Sequence, residues 1–507
     1  MRQAFHILRK DARRFRYQIC MLAALTVAFA WSTIVNDPYT PGALANYLHL
    51  ASAILPITWW PIMCVLIQDE PLVGDRQFWV TRPYSRWSLL AAKALFIVLF
   101  MNVPLLIAGF GILAAAGFQP LAYLPELLWM QLLLVGTLVV PTLALASITR
   151  GLMQCVLAML GIVTCIVVLA IVFSDAGQLN GHQMYSSGGI AWAASLMSNV
   201  TLLVPALVIL VLQWRMRRRW IAIGAGAVLF LLPQFADSDL SWRIGSTVQS
   251  RMFGERGAEA TAVTLKPNDV GPDTVDATQG GVALAVRLHV IDIPVGETAA
   301  PEIVEMTFKG SNGERWRTGW TEVMSSMADV VQKDPEPDGT FAWWQRVVMD
   351  RGFHERARFG PVTIRGSVYL MLNKRSRGGR LPDSRAAKVP GGGVCTVSRM
   401  QPLSGSSVTC LAPFHLPFQT SDFFFDANRR TTRLLSFWSS PIPTDLEMSP
   451  VRTMSANNVG GDTAGFVFLR YEPRAYIHRY FTVSNVRLPC RPGSGPCSLE
   501  GPSKTHD

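Results

Sequence analysis

The sequence predicts an α-helical membrane bundle of about seven transmembrane helices, followed by a mainly β, sandwich-like extracytoplasmic domain. Three observations predict it. Apolar runs long enough to cross a bilayer are confined to residues 1–236. Positive charge in that half occupies only alternate connecting segments. Beyond about residue 280 the hydrophobic period becomes 2, the period of a strand with one buried face.

The chain is 50% hydrophobic and 16% charged, with a mean hydropathy of +0.26. An ordinary soluble domain carries about 25% charged residues. The deficit lies in the first half: residues 1–235 hold 15 Lys+Arg and 7 Asp+Glu, against 31 and 28 in the remainder. The two parts are therefore built for different solvents. A net charge of +11 and a pI near 9.5 raise the question of nucleic acid. No recognition motif accompanies the basic residues, so no nucleic-acid partner is expected.

Residues 1–18 read as a cytoplasmic amphipathic helix. Phe5, Leu8 and Phe15 stand among six Lys/Arg, which suits a helix lying against anionic membrane lipid or a plain basic flank to the first span. A bilayer core about 30 Å thick requires roughly 20 apolar residues per helix. Such runs occupy 19–35, 47–68, 88–116, 121–147, 152–173, 190–213 and 220–236, the first and last being short. Segments 1–18, 69–93, 148–151 and 214–219 carry all 15 Lys+Arg of this half, whereas 36–46, 117–120 and 174–189 carry none. Positively charged loops remain in the cytoplasm. This places the N-terminus inside and, after an odd number of crossings, the C-terminal domain outside. Lys93, one turn inside an apolar run, is expected to snorkel to the headgroups. Glu126, near an outer helix end, is expected to stay hydrated.

Residues 237–280, rich in Gly, Asp and Thr, read as a linker or stalk with loose strands. Residues 281–488 read as the β-rich domain, and 489–507 as a disordered tail. In "GVALAVRLHVID" the apolar positions are Val282, Leu284, Val286, Leu288 and Val290; in "PVTIRGSVYLML" they include Val362, Ile364, Val368, Leu370 and Leu372. Asn312-Gly313 signals a two-residue hairpin with positive φ at both positions. Cys20, Cys64, Cys155 and Cys165 lie in or beside spans, where a thiol acts as a small hydrophobe. Cys395, Cys410, Cys490 and Cys497 lie in the outer domain. Four cysteines allow three pairings; the local choice is Cys395–Cys410 and Cys490–Cys497, which fits an oxidising compartment such as a bacterial periplasm.

No chemistry of catalysis is written in the chain. A phosphate loop is absent, since "GPSKTHD" lacks the glycine before lysine. "GFHERARF" has Arg358 where a zinc protease needs its second histidine. No nucleophile–base pair and no metal-ligand spacing emerge, so no enzyme, cofactor or metal is expected. Asn102 and Pro104 interrupt the third run; a buried amide in a spanning helix usually bonds a neighbouring helix, and broken helices also line transport paths.

One stretch carries more. "EPLVGDRQFWVTRPYSRWSLLAAK" sets Glu70, Gly74, Arg76, Phe78, Arg82, Pro83, Arg86 and Lys93 on the doorstep of an apolar helix. The order of an acidic residue, a glycine, a hydrophobic pair, Pro with a small residue and Arg, and a Lys opening the next helix resembles the cytoplasmic loop of ABC transporter permeases of the type-2 export class. The resemblance covers about residues 1–235, and the basic N-terminus is similar to that family's connecting helix. The family usually has six spans with both ends cytoplasmic, so the C-terminal domain lies beyond the resemblance. The resemblance implies a permease subunit in the bacterial inner membrane, working as a homodimer or with a similar permease. ATP would be held by a separate ATPase subunit gripping the N-terminal helix and the 69–88 loop. The alternative is a non-transporting anchor or sensor that presents its β-domain for protein interaction.

Overall fold

The computed structural model describes residues 2–35, 43–69, 85–149, 151–179, 191–216, 219–231, 238–255, 257–272, 281–322, 341–380, 387–389, 393–400, 405–414, 422–426, 448–459 and 467–489. Its first part is helical and its second is antiparallel β.

The helices are α1 (Arg2–Arg14), α2 (Arg16–Val35), α3 (Ala43–Gln68), α4 (Arg86–Ile97), α5 (Val103–Ala115), α6 (Leu124–Leu134), α7 (Val140–Ile148), α8 (Leu152–Leu179), α9 (Ala191–Met216) and α10 (Arg219–Leu231). A π turn at Val98–Asn102 joins α4 to α5, and another at Val135–Val139 joins α6 to α7. Pro104 and Pro141 sit at the second residue of α5 and α7. Proline has no N–H to give the preceding turn, and π turns absorb such local breaks in the ladder.

Each predicted apolar run is helical over its described part, yet among the described residues only three stretches are long and apolar enough to cross a membrane: Arg16–Ile34, Trp87–Ala115 and Pro120–Ile148. Shorter apolar stretches are Ile54–Gln68, Leu152–Cys165 and Leu202–Gln213. The expectation of seven full crossings is thereby reduced. Of the weakest run, 220–236, only the part within α10, up to Leu231, lies in the described residues.

The region read as a stalk holds helix α11 (Ser238–Phe253) and two short strands, β1 (Ala262–Thr264) and β2 (Val270–Pro272). Both strands pair with β3 (Gly281–Ile291), which also pairs with β6 (Phe341–Asp350). A second sheet has the order β11 (Asp422–Asp426), β13 (Val467–Val486), β7 (Val362–Arg380), β4 (Glu297–Lys309), β5 (Arg315–Glu322). A third joins β12 (Val451–Val459), β10 (Gly405–Pro413), β9 (Gly393–Met400) and β8 (Ala387–Val389). Helix α12 (Arg351–Ala357) links β6 to β7.

The first two sheets share one core. Leu284, Val286, Leu288 and Val290 of β3 pack with Val304, Met306 and Phe308 of β4 and with Ile364, Val368, Leu370 and Leu372 of β7. These are the alternating positions of the sequence, and burying each such side chain contributes about 1.5–3 kcal/mol before chain entropy is set against it. The β4–β5 turn departs from expectation. It spans Gly310 to Glu314, with Gly310 N donating to the Glu314 carbonyl; Gly313 alone has positive φ, +84°. The Asn312 carboxamide oxygen accepts from Glu314 N, so the side chain closes what a second left-handed residue would have closed.

His354 and His478 are two of the histidines held in this domain. His354 of α12 is buried and its Nε2 donates to the Pro489 carbonyl oxygen at 2.9 Å. His478 of β13 stacks on Tyr369 with ring centroids 4.1 Å apart. Burial pushes both imidazoles below their ordinary range, by disfavouring the charged form.

The helical and β parts touch. Met448 and Val451 join the core formed by Leu113, Ala116 and Leu127, and Leu133 packs with Ile303, Met371 and Tyr476. Glu126 is buried, with no hydrogen-bond partner for its Oε2; the hydrated position expected for it is not what the packing provides.

Candidate functional site: a basic helix clamped on the helical bundle

Helix α1 buries Ala4, Ile7, Leu8 and Asp11, and Phe15 follows. The spacing i, i+3, i+4, i+7, i+11 is one face of an α-helix. Ala4 and Ile7 pack on Leu89 and Ala92 of α4, while Leu8 and Phe15 enter the core with Phe96. The apolar stripe of α1 is thus covered by protein. Arg2, Arg9, Lys10 and Arg13 lie on exposed positions of the same helix.

One buried position on that stripe is charged. Asp11 Oδ2 accepts from Lys93 Nζ at 2.8 Å, with side-chain exposures of 5% and 3%. Lys93 therefore does not extend to a headgroup, as its place in the sequence had suggested. Its ammonium turns towards the carboxylate, because an unpaired charge at that depth costs more than the pair. A buried ion pair is weak support for stability, but a strong constraint on how two elements register.

Two further bonds extend the clamp. Arg14 Nη2 lies 2.9 Å from both oxygens of Asp69, just after α3. Ser88 Oγ donates to Gln3 Oε1 at 3.3 Å. Ser85 caps α4, its Oγ accepting from Ser88 N at 3.1 Å; this satisfies one of the N–H groups left over at a helix start. Helix α1 thus grips both sides of the segment between Asp69 and Ser85.

The residues singled out in the sequence are only partly within view. Glu70, Gly74, Arg76, Phe78, Arg82 and Pro83 lie outside the described residues, as do Cys490 and Cys497. Arg86 is the first residue of α4. Lys93 is brought to Asp11. Cys395 is disulfide-bonded, and the residue directly opposite it in the β9–β10 register is Cys410. Sequence reasoning missed Asp11 and Asp69 as partners. A signal existed for the first: Asp11 is the lone acid among residues 1–18, and it lies on the apolar face set by Ala4, Ile7 and Leu8.

Comparison with protein-family models gives no match, and no curated protein is similar to the chain.

Proposed function

We propose that the chain is the membrane-spanning permease subunit of an ABC-type exporter, driven by a separate ATPase that docks on α1 and the adjoining 69–88 loop. The observation that carries this reading is the clamp. A basic helix is locked to the start of a long apolar helix, with its apolar stripe already covered, so its cationic side remains available to an acidic protein surface. The resemblance of Glu70–Lys93 to permeases of the type-2 export class adds to it.

The placement of the β part supports the topology that goes with this function: N-terminus in the cytoplasm of a bacterium, multiple crossings of its inner membrane, and the C-terminal domain in the periplasm. Lys93, beside α1, and Gly109, where a Cβ would lie 3.9 Å from Pro450, are 16 residues apart along one run of α4, π turn and α5. That is about 24 Å of helix, most of a hydrocarbon core of about 30 Å. Seven crossings, and pairing with a second copy or a similar permease, complete the proposal. Closure of the ATPase on nucleotide would bias the helical bundle between two states, as any ligand with different affinity for them must.

The experiment is purification of the full chain from its native membrane under mild detergent. Recovery of a phosphate-loop ATPase, lost when Arg2, Arg9 and Arg13 are changed to glutamate together, is the expected result. Consistent recovery without any ATPase would leave the anchor or sensor reading, which the large, self-contained β core favours. A cysteine at exposed Glu259 labelled by an impermeant maleimide only from the cytoplasmic side would overturn the topology.

A further inference from the structure

Two thiols of the helical part meet between two helices. Cys64 Sγ of α3 and Cys155 Sγ of α8 are 3.0 Å apart, both fully buried and both free. Ile67, Leu145 and Ala146 enclose them. One turn further along, Gln68 Nε2 donates to Thr149 Oγ1 at 3.0 Å, which pins the end of α3 to the end of α7. The other two cysteines of this half, Cys20 and Cys165, are exposed and free.

We propose that Cys64 and Cys155 form a modification site, a dithiol oxidised to an intrahelical-bundle disulfide by a lipid-soluble two-electron acceptor of the quinone class. Among the described residues no group of three or more His, Cys, Asp or Glu side chains could hold a metal ion, so the pair lacks the further donors of a closed zinc site. Two adjacent thiols with nothing else to ligate are suited to one covalent outcome. Each thiol gives up one proton and one electron, the two sulfurs form the new bond, and the quinone takes up both electrons and both protons to become a quinol. The acceptor class follows from the surroundings. Met153, Leu157 and Leu160 of the same helix α8 are apolar and largely exposed. An oxidant dissolved in lipid meets that face first and reaches the sulfurs through local opening at the start of α8.

The product would staple α3 to α8 across a separation of 91 residues. A cross-link of that span restrains the unfolded chain strongly and would hold together the helix ends beside Asp69 and Gly151. This inference does not depend on the permease reading.

The test uses the full chain in proteoliposomes treated with a fully substituted benzoquinone bearing a decyl chain, and separately with diamide. Free thiols are then trapped with N-ethylmaleimide under denaturing conditions and the peptides read by mass spectrometry. Expected is a Cys64–Cys155 cross-linked peptide as the dominant oxidised species with both reagents, reversed by dithiothreitol, with Cys20 and Cys165 recovered alkylated. It should vanish in Cys64→Ala and in Cys155→Ala, and persist in the Cys20→Ser/Cys165→Ser double variant. The oxidised wild-type chain should also melt several degrees higher than the reduced one. Recovery of alkylated Cys64 and Cys155 after both oxidants, or cross-linking of Cys20 or Cys165 in their place, would overturn the proposal. Cross-linking with diamide but not with the quinone would overturn the acceptor class.

Discussion

The helical part and the β part bury their side chains by opposite rules. In the β domain, alternate residues of β3 and β7 enter one apolar core; between them Arg365 and Lys374 are exposed, and His289 is buried beside Asp269. In the helical part most of the surface is itself apolar, as Val27, Ile107, Leu132 and Leu160 show, and a salt bridge lies in the interior. Hydrophobicity therefore orders the β domain and cannot by itself order the helices, because lipid is as apolar as leucine. The difference teaches that specific contacts in the helical part come from polar exceptions, Asp11–Lys93 above all.

The comparison can be broken most severely at that pair. Lys93→Met leaves the Asp11 carboxylate buried and alone, and should destabilise the seat of α1 by about 3–5 kcal/mol, read as faster tryptic cleavage at Arg9 and Arg13. Asp11→Leu combined with Lys93→Met should recover most of the loss; a double variant as labile as the single would refute the pairing. The matching test in the β domain is Leu370→Ala. It opens a cavity among fully buried neighbours and should cost about 2–5 kcal/mol, seen in thermal melting of the strand signal with α1 cleavage unchanged. If α1 loosens too, the two parts are energetically one.

A smaller effect sharpens the β side. Gly313→Ala forces a side chain onto a φ of +84° and should cost about 1–2 kcal/mol; Asn312→Gly, which removes the carboxamide that closes the turn, should weaken it less. The gentlest probe is pH. His354 and His478 bind protons less readily in the folded domain than in the unfolded chain, whose imidazoles titrate near 6.5. The unfolded state therefore takes up more protons as pH falls through that value towards the lower folded ones. Denaturant midpoints should hold above neutrality and decline on acidification, and His354→Gln/His478→Gln should flatten the decline. An unchanged slope would remove the histidines from the account.

Much of the β domain was legible beforehand because period 2 is a strong local signal: Val362, Ile364, Val368, Leu370 and Leu372 were picked from spacing alone and are all fully buried. Helix positions were equally legible, since apolar runs and helices coincide. Crossing ability was less so. Seven runs read as spans, yet among the described residues only three stretches are long and apolar enough to cross. Of the candidate site, Lys93 was found for the wrong partner. Its headgroup role followed from one-dimensional depth, whereas Asp11 is 82 residues away and no periodicity connects the two.

By itself, the amino-acid order determined which stretches are helical or extended, which half avoids charge, and where the basic residues collect, because those properties depend on neighbours within a few residues. Tertiary structure alone decided that Asp11 meets Lys93, that Cys64 meets Cys155, and that Met448 and Val451 join the core of the helical part. Such contacts arise from packing between distant segments, where a buried charge or thiol takes the partner that the folded chain brings within reach.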